Sequence, residues 1–141
     1  MDPRLRALPG SRRQLRKPVE AAVRHAIGVT YRKLGEFDKA SEHLELASKL
    51  NQELSGPRHP TTLTINNSLA MVYSESGRND EALRIFQETL ELRKEVLGAN
   101  HADTLDSMAN LALELLLASR TNEAQHLMGK ALSMVKEYYP A

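Results

Sequence analysis

Residues 56–63 read GPRHPTTL, and residues 98–105 read GANHADTL. A Gly, a His, a Thr and a Leu thus return in the same order 42 places on. The register extends beyond this stretch: Leu69/Leu111, Ala70/Ala112, Arg78/Arg120, Glu81/Glu123, Ala82/Ala124, Leu90/Leu132, Lys94/Lys136 and Glu95/Glu137 are identical at the same interval. Stepping back from Pro60, Tyr73, Gly77 and Ala82 lands on Pro18, Tyr31, Gly35 and Ala40, so a third copy precedes these two. A fixed period of about 20–50 residues marks stacked structural repeats. The copies run over residues 18–59, 60–101 and 102–141.

Within each copy the apolar residues recur at steps of three and four, the signature of amphipathic helices. In the middle copy Leu63, Ala70, Met71 and Tyr73 mark a first helix, and Ala82, Ile85, Phe86, Leu90 and Val96 a second. Pro60 suits a first helical position, where a missing N–H costs nothing, which puts His59 at the cap. Gly77 ends the first helix, Gly56 and Gly98 close second helices, and Asp80 and Glu81 favour a helix N-terminus through the dipole. The predicted helices are 18–34, 38–54, 60–76, 80–97, 102–118 and 122–138. Small residues at Gly28, Ala70 and Ala112 face larger ones at Leu44, Phe86 and Met128, so neighbouring helices interdigitate. No single hairpin buries its own apolar face without the next. The fold class is all-α, a stack of three antiparallel helix hairpins.

The chain has 141 residues, 41% of them hydrophobic, 26% charged and none cysteine. No disulfide framework, thiolate metal site or thiol nucleophile is possible, and a reducing, cytoplasmic setting fits. The net charge of +1 hides an asymmetry: Arg4, Arg6, Arg12, Arg13, Arg16 and Lys17 stand against Asp2 alone in residues 1–17, while the repeat body is acidic. That segment reads as a basic flexible tail. It is open to an acidic partner such as nucleic acid or phospholipid, or to a mitochondrial-type leader, although Pro3, Pro9 and Gly10 interrupt an amphipathic helix. The longest apolar run, LALELLLA at 111–118, is too short to cross a bilayer and contains Glu114.

The segments IGVTYRKLGEFDKASEHLELA and LAMVYSESGRNDEALRIFQETLELRKEVLG resemble tetratricopeptide repeats. The 42-residue period, long second helices and an HP…TL start to the first helix are similar to the kinesin-light-chain subclass, also met in bacterial multidomain proteins beside kinases and signalling ATPases. The resemblance implies a non-catalytic module that binds an extended peptide or partner protein in a concave groove lined by the first helices. It also makes the stack a right-handed superhelix, and counting from the core positions Gly28, Ala70 and Ala112 puts His25, Val29 and Arg32, then Asn67, Met71 and Ser74, then Ala109, Asn110 and Leu113 on that groove. Asparagines in an LNNLA-like stretch of the family hold a peptide backbone. Asn67 matches the first of them and Asn110 the second. An Asn amide offers donor and acceptor together, while Val29, Met71 and Leu113 supply adaptable apolar contact and Arg32 a preference for acidic residues. Relatives that clamp a C-terminal carboxylate use Lys, Asn and Arg where this chain has His25, Val29, Ser68, Asp106 and Asn110, so that clamp is not expected.

The third copy departs from the pattern, with Leu115, Ser119 and Thr121 where the others have Tyr31/Tyr73, Gly35/Gly77 and Phe37/Asn79. Its first helix is unusually apolar, and Leu113, Leu116 and Leu117 suit a homodimer through the last repeat. The chain would then be a spacer or dimerisation segment of a larger signalling protein. A lost downstream neighbour and a self-contained end are the other options.

Catalysis finds no support. No phosphate-binding loop, GxGxxG, HExxH or GxSxG occurs. His59 and His101 are explained as repeat joints, and His43 and His126 lack partners at metal-ligand spacing, so no metal or cofactor is expected. Binding of nucleic acid has only the tail to rest on.

Overall fold

The computed structural model describes residues 11–141. Six helices follow one another: α1 (Ser11–Lys33), α2 (Phe37–Ser55), α3 (Pro60–Glu75), α4 (Asn79–Leu97), α5 (Ala102–Leu117) and α6 (Thr121–Tyr138). Each packs on its sequence neighbours, forming three hairpins, and α1 also touches α3.

The joints explain why the opening motif repeats. His59 and His101 are the N-caps of α3 and α5, and the Nδ1 of each accepts a backbone N–H two residues on, from Thr61 at 3.2 Å and Asp103 at 3.0 Å. Gly56 and Gly98 end α2 and α4 at φ +88° and +97°, a left-handed region that L side chains rarely enter. Thr62 and Thr104 are fully buried, and their hydroxyls donate back to the Gly56 and Gly98 carbonyls at 2.9 and 2.8 Å. A threonine hydroxyl thus replaces water for a carbonyl that the helix leaves unpaired. The repeated Arg78/Glu81 and Arg120/Glu123 form forked ion pairs at the starts of α4 and α6.

Gly28 meets Leu44 as the small-against-large matching requires. A Cβ built on it would lie 2.5 Å from Leu44 Cγ, and Leu44 has no exposed surface to move into. Leu44, Ala70, Val72, Tyr73, Phe86 and Met108 belong to one continuous core, whereas α6 buries only Ala124.

One expectation changes. The segment read as a tail to residue 17 is helical from Ser11, and Pro18 lies inside α1 and not at its first position. Proline deprives the preceding turn of a single N–H donor, which the helix tolerates, and Lys17 beside it lies 3.7 Å from Glu53 of α2 in an exposed ion pair. The charges at Asp2, Arg4 and Arg6 lie outside the described residues.

Candidate peptide-binding face

The helices α1, α3 and α5 present one face on which all nine groove residues of the sequence reading are partly or fully exposed. His25, Val29, Arg32, Asn67, Met71, Ser74 and Asn110 are half-buried, and Ala109 and Leu113 are exposed. Polar contacts join some of them across successive hairpins. His25 Nε2 lies 3.2 Å from Ser68 Oγ, and Asn110 Nδ2 donates to Asn67 Oδ1 at 3.3 Å. Both rungs link the same pair of repeat positions across successive hairpins, 43 residues apart. Arg32 bridges to Glu75 at the same separation, Nε to Oε1 at 2.9 Å.

These contacts alter the roles foreseen for two side chains. Arg32 is already neutralised by Glu75, so it does not stand as a free cation for an acidic ligand. Asn67 uses its oxygen on Asn110 and turns its Nδ2 toward Met71 Sδ at 3.7 Å, so the pair as a whole, through Asn110 Oδ1 and the remaining N–H groups, offers donor and acceptor. Polar rungs at the first two hairpins give way to Leu113, Leu116 and Leu117, all exposed, at the third. Leu113 and Leu116 occupy the repeat positions of Met71 and Ser74. Two of the leucines foreseen for self-association are therefore the continuation of the same face.

Beside His25, a cleft of about 400 Å³ opens between α1, the end of α2 and the start of α3, lined by Pro18, Ala22, Asn51, Leu54 and Ile65. Burial there holds the His25 imidazole pKa below its ordinary value. The matching space at the next joint is filled by Arg93, which stands where Asn51 does and is buried against Ser107.

Two buried side chains of charged type, Arg93 and Glu114, escaped the sequence reading. Arg93 lies on a helix rich in charged residues, and its signal was a position shared with Asn51. Glu114 is almost fully buried, accepts from Ser74 Oγ at 2.6 Å through Oε2, and leaves Oε1 without a partner. Its signal was the charge inside LALELLLA, at the repeat position of the wholly buried Val72. His43 stacks on Tyr31 at 5.7 Å and lies 3.2 Å from the Arg24 guanidinium, while His126 is exposed. Among the described residues no three His, Asp or Glu side chains are grouped to hold a metal ion, and no helix is long and apolar enough to cross a membrane.

The tetratricopeptide repeat family profile matches residues 19–95 and again 61–137. The chain belongs to the tetratricopeptide repeat family, whose repeats are protein-interaction modules. Among solved structures it is similar to a kinesin light chain-like protein of Podosopora anserina with nearly identical TPR-like repeats, at TM-score 0.79 and 23% identity over 92% of this chain and 62% of that one. A point variant of that protein gives TM-score 0.80 and 23% identity over 91% and 61%. BtubC (BKLC) of P. vanneervenii is similar at TM-score 0.79 and 24% identity over 86% of this chain and 48% of that chain. The chain thus spans between 48% and 62% of the length of these structures, and at such identities the likeness is one of fold. No curated protein sequence matches the chain.

Proposed function

We propose that this chain is a non-catalytic protein-binding module that holds an extended peptide segment along the face of α1, α3 and α5. The observation that carries the reading is the row Val29, Met71 and Leu113, one accessible apolar side chain per hairpin at equal spacing, flanked by the Asn67–Asn110 amide pair. A strand-like peptide has amide groups at regular intervals and side chains on alternate sides, so it can bond the amide pair while its apolar residues contact the row. Affinity in such a site depends on a few anchors, here the leucine end of the face.

The test is to select binders from a random displayed-peptide library against the chain and measure one by calorimetry. Asn67→Ala with Asn110→Ala, and separately Leu113→Asp, are expected to weaken it about tenfold or more, a loss of about 1.4 kcal/mol. Unchanged affinity in both variants sinks the reading.

The alternative of a spacer segment that self-associates draws on the same exposed Leu113, Leu116 and Leu117. It requires that Leu113→Asp with Leu117→Asp convert a self-associating parent to a monomer.

A further inference from the structure

Among the described residues, the outer faces of α6 and α1 are exposed in a matching way. Leu132 on α6 is 55% exposed, whereas Leu90, its counterpart on α4, is 3% exposed under α5. Met128 and Val135 are likewise exposed where Phe86 and Arg93 are buried. At the other end, Val23 on α1 is 50% exposed where Ile65 and Ser107 are both at 1%. Thr30 is exposed where Val72 and Glu114 are buried. The face of α6 is therefore the one by which α2 and α4 hold the next hairpin, and the face of α1 is the one by which α3 and α5 are held.

We infer that a second copy of this chain occupies each end, its α1 docking on α6 in the geometry of the internal joints, so that copies stack head to tail. Advancing the internal contacts by one repeat tests the chemistry. Asn51 and Ile65 share the cleft of the first joint, and Arg93 donates to Ser107 at 2.7 Å in the second. The next pair in register is Val135 against Val23 of the following copy, two apolar side chains. Ser48 donates to Asn66 across the first joint, and advancing this contact by two repeats sets Leu132 opposite Arg24. The Arg24 guanidinium is already held by Glu20 at 3.1 Å and lies 3.2 Å from His43 Nδ1, so its aliphatic stem is what Leu132 meets. Glu20, which falls beside Val135, carries that same ion pair and is not stranded by burial. The contact continues an interface the molecule already makes twice, and it explains both exposed faces with one occupant. Such an interface uses two different surfaces, so each added copy presents the same two faces again and the assembly grows past a dimer, as a ring or an open filament.

Sedimentation velocity of the full chain over a wide concentration range tests this. The mass is expected to rise with concentration past a dimer. Val23→Asp and Leu132→Asp, both at exposed positions of the single chain, should each be monomeric with unchanged helical circular dichroism. Mixing the two variants should restore association but stop at a one-to-one pair, because only one live α6 face and one live α1 face remain. A parent chain that stays monomeric throughout overturns the inference. So does a Val23→Asp variant that self-associates like the parent, since that outcome means that two α6 faces meet or that a different surface is used.

Discussion

Arg93 donates to Ser107 Oγ at 2.7 Å across the joint between α4 and α5, and its Nη1 also lies 3.2 Å from the Asp103 carbonyl oxygen. The side chain is buried, and desolvation holds its pKa below the ordinary guanidinium value, with Asp103 and Asp106 opposing that effect from a distance. At the preceding joint the same two repeat positions hold Asn51 and Ile65, which line the open cleft, and Asn51 Nδ2 donates to Thr62 Oγ1 at 2.6 Å. The two pairs are alternatives, a long polar residue facing a small one or a short polar residue facing a large apolar one.

Arg93→Ala is therefore expected to destabilise the chain by about 2–4 kcal/mol, from the lost bonds and the space left behind. Arg93→Asn should cost a similar amount, and adding Ser107→Ile should recover part of it by importing the first joint's pair. Urea denaturation of the single and double variants measures the coupling. Strict additivity of the two changes would show that the residues do not form a unit.

Ser119 has φ +60°, the left-handed region, at the repeat position where Gly35 and Gly77 stand at +77° and +87°. The backbone bonds there are the same as in the glycine turns, with Arg120 N–H donating to the Leu115 carbonyl at 2.8 Å as Arg78 does to Tyr73 at 2.7 Å. A side chain costs about 1–2 kcal/mol in that conformation, against about 0.5–1 kcal/mol for the extra freedom of an unfolded glycine. Ser119→Gly is expected to raise stability by about 0.5–1 kcal/mol, read as a higher urea midpoint with unchanged slope. A lower midpoint would refute the strain argument.

Glu114 stands buried where Val72 stands, with one carboxylate oxygen unpaired. A buried polar oxygen left without a partner costs about 1–3 kcal/mol, and with Val in its place the Ser74 hydroxyl, only half-buried, regains water. Glu114→Val is expected to stabilise the chain by about 1 kcal/mol or more in thermal and urea melts. Destabilisation instead would mean that the Ser74–Glu114 bond contributes more than the orphaned oxygen costs.

The architecture was legible because the 42-residue register carries helix, joint and core together: one His, one Gly and one Thr per joint each have a backbone task that only a few residue types perform. The face of the first helices was legible for the same reason, since repeat positions transfer. What the register does not reveal is pairing between different repeat positions. Arg32–Glu75, Asn67–Asn110 and Arg93–Ser107 each join residues whose separation is not the period itself, so nothing in a column-by-column comparison brings them together. The start of α1 was missed because Pro18 copies Pro60, a first-turn residue, while residues 14–17 match the non-helical joint at 56–59 in the next copy.

Burial lowers the His25 pKa from its ordinary 6.5, so the folded chain binds a proton at this site less readily than the unfolded chain does. The sign follows from that difference. Above about pH 6.5 both states hold a neutral imidazole and the stability contribution is complete. As the pH falls through 6.5 the unfolded chain protonates first, stability declines, and the decline levels off below the folded pKa. Glu81 and Glu123, held below the usual carboxylate value of 4.5 by hydrogen bonds from Arg78 and Arg120, contribute stability above that pH and lose it only at lower pH, outside the histidine window. Urea midpoints at about pH 7.5 and about pH 5.5 should differ for the parent chain. His25→Gln keeps an amide within reach of Ser68 Oγ and carries no titration, so its two midpoints should lie closer together. Equal pH dependence in both proteins would exclude His25 as the source, and the same pair of proteins, probed for selected-peptide affinity at both pH values, shows whether protonation at the end of the binding face also weakens capture.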